Sequence, residues 1–220
     1  RGRRRPKRSR MPSCTEAKRA LRVQPRAQAA ALSLRERAES DRALCRRFLE
    51  LPQTAEAGTL LLFWGVGTEP DTRPLLDALW AQGKRVLLPQ CLPGHVLEAR
   101  LVRSPRELVP GAYGIPEPGP DCPVVEGREI DLILVPAVAY DRQCLRLGQG
   151  GGYYDRCLAG YQGRTVGLCR DVLLQDRLPA EPHDLGVEVV LTETRRFSAG
   201  QKSAGGAQGA PPVSGGLQGG

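Results

Sequence analysis

One stretch near the middle of the chain constrains the fold more than any other: residues 131–158 read DLILVPAVAYDRQCLRLGQGGGYYDRCL. It opens with an apolar run over residues 132–139 that only Pro136 interrupts, which predicts a strand buried on both faces of a parallel sheet. Four glycines lie in the loop that follows, and a segment predicted to be helical to about Tyr161 begins at Tyr153. This order favours anion binding, because glycine lets the backbone approach a ligand and the N–H groups at a helix start favour negative charge.

The glycine loop matches neither of the two common nucleotide-binding motifs. A P-loop requires Lys-Ser or Lys-Thr after its last glycine, but Gly152 is followed by Tyr153. A dinucleotide-binding loop requires GxGxxG, and Tyr153 stands where the third glycine belongs. Composition alone therefore leaves open a plain glycine-rich surface turn.

The residues of this loop resemble one family signature. The string RLGQGGGYYDR, preceded by VPAVAYD, is similar to the signature of the 5-formyltetrahydrofolate cyclo-ligases, also called 5,10-methenyltetrahydrofolate synthetases. Cys144 stands where the family usually has glycine, Gln149 where an aromatic residue or arginine is common, and Gly151 where some members carry lysine. The changes at Cys144 and Gln149 remove no obvious catalytic group.

The segments before this stretch predict a parallel sheet. A strand over residues 59–64, a helix over 74–82 and a strand over 85–89 form a βαβ unit, which implies a right-handed crossover. The resemblance extends this to an α/β fold with three α/β/α layers around a mostly parallel, Rossmann-like central sheet. Ligands of such sheets bind outside the carboxyl ends of the strands.

Further elements are predicted on both sides of the βαβ unit. Thr15 is the predicted cap of a first helix, and Pro25 separates that helix from a second one over residues 33–49. Additional strands are predicted over residues 97–102, 165–169 and 187–191, and a short helix over 172–178.

Charge is distributed unevenly along the chain. The first ten residues, RGRRRPKRSR, contain seven of the 32 Lys and Arg residues and no acid, and Arg196 and Lys202 follow near the other end. The intervening part is close to neutral, which weakens a nucleic-acid-binding interpretation of the whole protein. We predict a disordered basic arm over residues 1–14, a catalytic domain over 15–195 and a disordered Gly/Ala-rich tail over 196–220. RNA binding through the arm is the less favoured alternative.

Seven cysteines and two histidines are scattered along the chain without a CxxC pair. This pattern argues against a zinc site and a disulfide framework, and reduced thiols predict a cytoplasmic protein. No apolar run approaches the roughly 18 residues that a membrane helix requires. We expect a monomer whose partners are small molecules, with neither nucleic acid nor membrane among them.

The resemblance implies a set of ATP-binding residues. Cyclo-ligases begin with a helix reading KxxLR, and Lys18 and Arg22 match its two cations, which suit phosphates as a point charge and a forked donor. The implied ATP-binding residues are Lys18, Arg22, Arg146, Leu147, Gly148, Gln149, Gly150, Gly151, Gly152, Tyr153 and Tyr154. Arg146 and Tyr153 are also the implied catalytic residues.

The resemblance also implies residues for the folate and for Mg²⁺. Glu69 matches the first position of the family's ExxT step, where a carboxylate accepts from the N–H donors of the pterin. Trp64 either packs on the same ligand or fills the core. The implied substrate-binding residues are Trp64, Glu69, Gln149, Gly150, Gly151, Gly152 and Tyr153. Asp155 and Asp184 are the implied magnesium ligands, in keeping with the one or two carboxylates that usually hold Mg²⁺ beside phosphate oxygens and water.

The activity that the resemblance implies is the ATP- and Mg²⁺-dependent conversion of 5-formyltetrahydrofolate to 5,10-methenyltetrahydrofolate, with release of ADP and phosphate. In this reaction the formyl oxygen is phosphorylated and N10 of the folate then attacks the activated carbon. A non-catalytic relative that binds only folate or nucleotide is the alternative.

Overall fold

The computed structural model describes residues 13–111, 114–181 and 184–200. Its α-helices are α1 (Cys14–Leu21), α2 (Val23–Ala31), α3 (Leu34–Leu49), α4 (Pro52–Glu56), α5 (Arg73–Ala81) and α6 (Tyr153–Leu158). Its strands are β1 (Thr59–Leu61), β2 (Arg85–Leu92), β3 (Val96–Val102), β4 (Leu108–Pro110), β5 (Pro116–Pro118), β6 (Leu132–Val135), β7 (Ala139–Tyr140), β8 (Arg146–Leu147), β9 (Arg164–Leu168), β10 (Val189–Leu191) and β11 (Arg196–Ser198). Single 3₁₀ turns occupy Pro105–Glu107, Gly127–Glu129 and Asp171–Leu173.

A seven-stranded sheet forms the centre of the molecule, with the strand order β11-β10-β9-β6-β1-β2-β3. The five inner strands run parallel, while β3 and β11 close the two edges antiparallel to their neighbours. Every residue of β1, β6 and β10 is buried, because helices cover both faces of a parallel sheet. The predicted mostly parallel α/β fold is therefore confirmed.

The alternation of side chains along the inner strands separates two core layers. Leu60 and Leu132 are register partners and pack on the face that α3 and α5 cover. The next pair, Leu61 and Ile133, packs on the opposite face, against residues of α2 and α6. Successive strand residues point to opposite faces, so one apolar run supplies both layers of the α/β/α arrangement.

The N-terminal helices begin at capping boxes. Ser13, not the predicted Thr15, caps α1, because its hydroxyl accepts from the Glu16 N–H while the Glu16 carboxylate accepts from the Ser13 N–H. Ser33 caps α3 in the same way, and this helix ends at Leu49 as predicted. Pro25 does not separate two helices: it lies in the first turn of α2, where its missing N–H has no helical acceptor to lose.

Several predicted boundaries are wrong, some because of a local residue and one because of contacts distant in sequence. The run over residues 132–139 divides into β6 and β7 at Pro136, which has no N–H to donate to a sheet. The first strand ends at Leu61, short of residue 64, and α6 ends at Leu158, short of Tyr161. The helix predicted over 172–178 is only the 3₁₀ turn Asp171–Leu173, because the Gln175 and Leu178 N–H groups donate to Tyr140 and Asp141 instead.

The folded part also extends past its predicted limits. Cys14 begins α1, and β11 adds Arg196–Ser198 to the sheet, so residues on both sides of the predicted 15–195 domain are structured. The predicted arm and tail otherwise lie in residues 1–12 and 201–220, outside the described part of the chain. Within the described part, no helix combines the length and the apolar character needed to cross a bilayer.

Candidate active site

The glycine loop lies between β8 and α6, at the carboxyl ends of the parallel strands. Gly150 and Gly152 have φ of +103° and +68°, a backbone region that side chains rarely adopt. A Cβ on Gly150 would lie 3.5 Å from a guanidinium nitrogen of Arg22. The loop therefore presents bare backbone directly beside a cation of the N-terminal helices.

Lys18 and Arg22 lie one helical turn apart and both reach this region. The Lys18 Nζ is 2.5 Å from Asp184 Oδ1 and 3.5 Å from Glu181, while Arg22 Nε donates to the Gly148 carbonyl at 2.7 Å. Burial favours a lower pKa for Lys18, but the hydrogen bond and charge of Asp184 outweigh it and raise the pKa. The predicted convergence of the KxxLR helix, the glycine loop and Asp184 is present.

Arg146 approaches the same loop from β8. Its side chain is largely buried and donates to Asp155 in the first turn of α6, while its Nε has no hydrogen-bond partner among the residues that the structure describes. Its terminal nitrogen would come within 2.8 Å of a Cβ on Gly148. Leu147, by contrast, is buried in a small apolar cluster with Val138, so only its backbone belongs to the loop surface.

A cavity of about 270 Å³ opens beside the loop, at the carboxyl ends of β1, β6 and β9. Its polar lining residues include Arg26, Glu69, Gln149 and Arg170. Burial raises the pKa of Glu69, opposed by hydrogen bonds from the Val66 N–H and from Gln149, whose Nε2 lies 3.4 Å from Glu69 Oε1. Gln149 thus joins the glycine loop to the carboxylate predicted to bind the pterin.

The loop that carries Glu69 is anchored by two buried or partly buried residues, Arg170 and Asp41, that the sequence did not predict. Arg170 is 2% exposed, pairs with Asp41 at 2.8 Å and donates to the Glu69 carbonyl at 3.3 Å. Asp41 also accepts from the Asp71 N–H at 3.2 Å. Gly65 allows the tight return of the loop, because a Cβ there would overlap the Pro70 carbonyl at 1.9 Å.

Tyr153 and Tyr154 begin α6 and point to different surroundings. The ring of Tyr153 meets His95 edge-on at 5.0 Å, and His95 belongs to the turn between β2 and β3. A Cβ on Gly151 would lie 3.0 Å from the Tyr153 ring, so glycine permits this contact. The hydroxyl of Tyr154 is buried with no hydrogen-bond partner among the described residues. The sequence did not predict that His95 lies at the site. Its contact with Tyr153 becomes visible only once the β2–β3 turn is placed beside α6.

Trp64 does not line the cavity. Its half-buried ring packs against the core layer under α3 and α5, which favours the core-filling interpretation over contact with the ligand. Its sequence position beside the Glu69 loop is therefore a poor guide to its environment.

The two predicted magnesium ligands each face a cation. Asp184 pairs with Lys18 and Asp155 pairs with Arg146. Within residues 13–111, 114–181 and 184–200, no three His, Cys, Asp or Glu side chains form a metal-binding group. The donor chemistry of the two carboxylates suits Mg²⁺ only in company with phosphate oxygens and water, as is usual for this ion. His183, next to Asp184, lies outside the described residues.

The chain is similar to known proteins over most of its length. The family described as 5-formyltetrahydrofolate cyclo-ligase matches residues 14–193. The chain is 34% identical over 172 residues to the 5-formyltetrahydrofolate cyclo-ligase of Escherichia coli K12, covering 75% of this chain and 94% of that protein. It is 41% identical over 148 residues to the enzyme of the same name from Mycolicibacterium smegmatis, covering 64% of this chain and 76% of that protein.

A solved structure extends the likeness to three dimensions. The NMR structure of Aquifex aeolicus 5,10-methenyltetrahydrofolate synthetase superposes with a TM-score of 0.76 at 30% identity, covering 87% of this chain and 97% of that one. The family match covers most of the chain, and the glycine loop, the KxxLR helix and the Glu69 loop meet as the resemblance implies. The chain is therefore a member of the 5-formyltetrahydrofolate cyclo-ligase family.

Proposed function

We propose that this protein converts 5-formyltetrahydrofolate to 5,10-methenyltetrahydrofolate and consumes ATP, releasing ADP and phosphate. The observation that carries the proposal is the cleft itself. Lys18, Arg22 and Arg146 gather around the glycine loop on one side, and Glu69 lines the cavity on the other. Gln149 contacts Glu69 and belongs to the loop, so the two half-sites share a boundary.

The chemistry explains why such a cleft needs two half-sites. A formamide is a poor electrophile, because its nitrogen lone pair is delocalised into the carbonyl. When the formyl oxygen attacks the γ-phosphorus of ATP, the bond to the β–γ bridging oxygen breaks and ADP leaves. N10 then bonds to the activated carbon and loses its proton, and phosphate departs with the former formyl oxygen. The protein contributes mainly positioning and charge stabilisation, as in other phosphoryl transfers.

On the nucleotide side, the cations neutralise phosphates while the loop backbone donates to them. Lys18 and Arg146 are paired with Asp184 and Asp155 in the structure, so phosphate must replace these carboxylates as their partner. The released Asp155 and Asp184 would hold Mg²⁺, which supplies further neutralisation of the phosphates when bound. Tyr153 lies at the junction of the loop and the β2–β3 hairpin and would border the folate.

On the folate side, Glu69 accepts from the pterin. The raised pKa of this carboxyl reflects a partly dehydrated position with few donors. The pterin ring offers N–H groups that would complete the hydrogen bonding of the carboxylate. Gly150, Gly151 and Gly152 leave room for the ring beside the loop.

Turnover of the purified full chain tests the proposal. Formation of 5,10-methenyltetrahydrofolate is followed by its absorbance, with and without ATP, at an excess of folate over protein. We expect multiple turnovers that require ATP and yield one ADP per product. Binding of both ligands without turnover would instead support the non-catalytic alternative.

We also expect the protein to be cytoplasmic and monomeric. Cell fractionation tests its location, and light scattering tests its oligomeric state.

A further inference from the structure

Five basic side chains lie at or beside the glycine loop. One of them, Arg156, is exposed and donates to the Gly152 carbonyl at 3.2 Å. The other four fall into two classes. Lys18 and Arg146 pair with carboxylates. Arg22 and Arg26 contact neutral acceptors, the Gly148 carbonyl at 2.7 Å and the Gln149 side-chain oxygen at 2.5 Å. Within the described part of the chain, no acidic side chain forms an ion pair with either arginine. The second pair therefore brings positive charge to the cleft without a directly paired carboxylate, and Arg26 is joined to Glu69 only through Gln149.

The two arginines lie on successive helical turns. Arg26 donates its backbone N–H to the Arg22 carbonyl, so the two side chains project from the same face. Burial lowers the pKa of Arg22, and the charge of Arg26 lowers it further. Holding two guanidinium groups together without an acid is unfavourable, and an anion between them would remove that repulsion.

The position of Arg26 is defined by Gln149. This glutamine accepts from Arg26 and donates to Glu69 at 3.4 Å, so Arg26 lies at the boundary between the nucleotide and folate half-sites. Arg26 also lines the cavity together with Glu69. Gln149 is itself neutral, so the positive charge at this point of the loop is that of Arg26 in α2.

We propose that Arg26 is a further catalytic residue, which together with Arg22 binds the phosphoryl group as it passes from ATP to the formyl oxygen. This inference rests on the proposed cyclo-ligase function. In the step concerned, the formyl oxygen bonds to the γ-phosphorus, the bond from phosphorus to the β–γ bridging oxygen breaks, and ADP carries away the electron pair. The forked N–H donors of two guanidinium groups match the equatorial phosphoryl oxygens, which bear the charge of this transition state.

The test compares Arg26→Gln, Arg26→Lys and the control Arg35→Gln in the full chain. Arg35 is also a helical arginine, but its side chain is 86% exposed and pairs only with Glu39 among the described residues. The readout is the single-turnover rate of methenyltetrahydrofolate formation at saturating ATP and folate. We expect Arg26→Gln to slow this step roughly tenfold to a hundredfold, the usual value of a hydrogen bond to a charged group, with smaller changes in the KM values. Arg26→Lys should retain more of the rate, and Arg35→Gln should match the unaltered protein.

A rescue experiment separates catalysis from folding. Gln149→Arg returns a cation to the loop itself, and in the Arg26→Gln background it should restore part of the rate. An Arg26→Gln variant with an unchanged single-turnover rate, or with an effect confined to the KM for ATP or folate, would overturn the inference. Absence of turnover by the unaltered protein would overturn the proposed function as well, so the two failures are distinguishable.

Discussion

The two sides of the cleft are held in different ways. On the folate side, the Glu69 loop is tied to a buried arginine, because Arg170 is 2% exposed and bonds both Asp41 and the Glu69 carbonyl. On the nucleotide side, the carboxylate of one ion pair is more accessible: Asp155 is 41% exposed, whereas Asp184 is 21% exposed and Asp41 is 19% exposed. The first arrangement holds the loop that carries the Glu69 carboxylate in place before the ligand binds. In the proposed function, the ion pairs of the second arrangement exchange their carboxylates for phosphate when ATP binds.

This difference follows from the chemistry that each side serves. A neutral pterin is recognised by the direction of its N–H groups, so a displaced carboxylate loses specificity. A triphosphate brings a large charge that offsets the loss of these ion pairs, whose carboxylates are partly exposed. Rigid placement on one side and exchangeable pairs on the other are the expected result, and the following variants test this contrast.

The largest expected effect concerns the buried anchor on the folate side. Arg170→Met should lower the free energy of unfolding by about 3 kcal/mol, because it leaves Asp41 without its cation. The double variant Arg170→Met/Asp41→Leu should recover part of that loss, since Asp41→Leu also leaves the Asp71 N–H without its acceptor. Urea unfolding measures both, with Arg35→Met as a surface control expected to change stability by less than about 0.5 kcal/mol. Equal losses in the single and double variants would contradict the anchoring role.

The next effect concerns the carboxylate that the anchor positions. Glu69→Gln should lower kcat/KM for 5-formyltetrahydrofolate about a hundredfold, since it replaces charge-assisted acceptance by a weaker amide contact. The KM for ATP should change little. A steady-state analysis with each substrate varied in turn measures this split. A matching loss for ATP would mean that Glu69 does not belong to the folate side.

On the nucleotide side we expect a smaller effect. Lys18→Ala should raise the KM for ATP about tenfold, less than a full charged contact is worth, because Asp184 already competes for Lys18 in the free protein. Asp184→Gln removes the carboxylate that competes with phosphate for Lys18. In an otherwise unaltered chain, this variant should therefore bind ATP more tightly when binding is measured without Mg²⁺. An unchanged KM for ATP in Lys18→Ala would contradict the assignment of Lys18 to the phosphates.

The smallest expected effect is a dependence of stability on pH. The folded-state pKa of Glu69 is raised above its ordinary value of 4.5, so the folded protein binds this proton more tightly than the unfolded chain. Stability from Glu69 is therefore present at low pH and is lost as pH rises through the raised pKa. Glu69→Gln should be the more stable protein at neutral pH, and the advantage should disappear as pH falls to about 4.5 and below. Urea midpoints at several pH values measure it.

The sequence predicted those helices and strands whose residue pattern lies entirely within the element. The apolar run at residue 132 and the βαβ unit indicated buried parallel strands, and burial of whole strands in both core layers agrees. Boundaries failed where a contact distant in sequence competes with a local one. The segment after Leu173 does not continue as a helix, because its N–H groups are taken by Tyr140 and Asp141.

The glycine loop and the KxxLR helix were recognisable because each is a short contiguous string whose backbone or charge is proposed to bind the nucleotide. Arg26, Asp41, His95 and Arg170 have no such string around them. Arg26 matters through Gln149, which is 123 residues away, and Arg170 matters through Asp41 and the Glu69 loop. Adjacent residues set backbone conformation and family membership, whereas folding alone brought together side chains whose roles depend on charge and distance across the cleft.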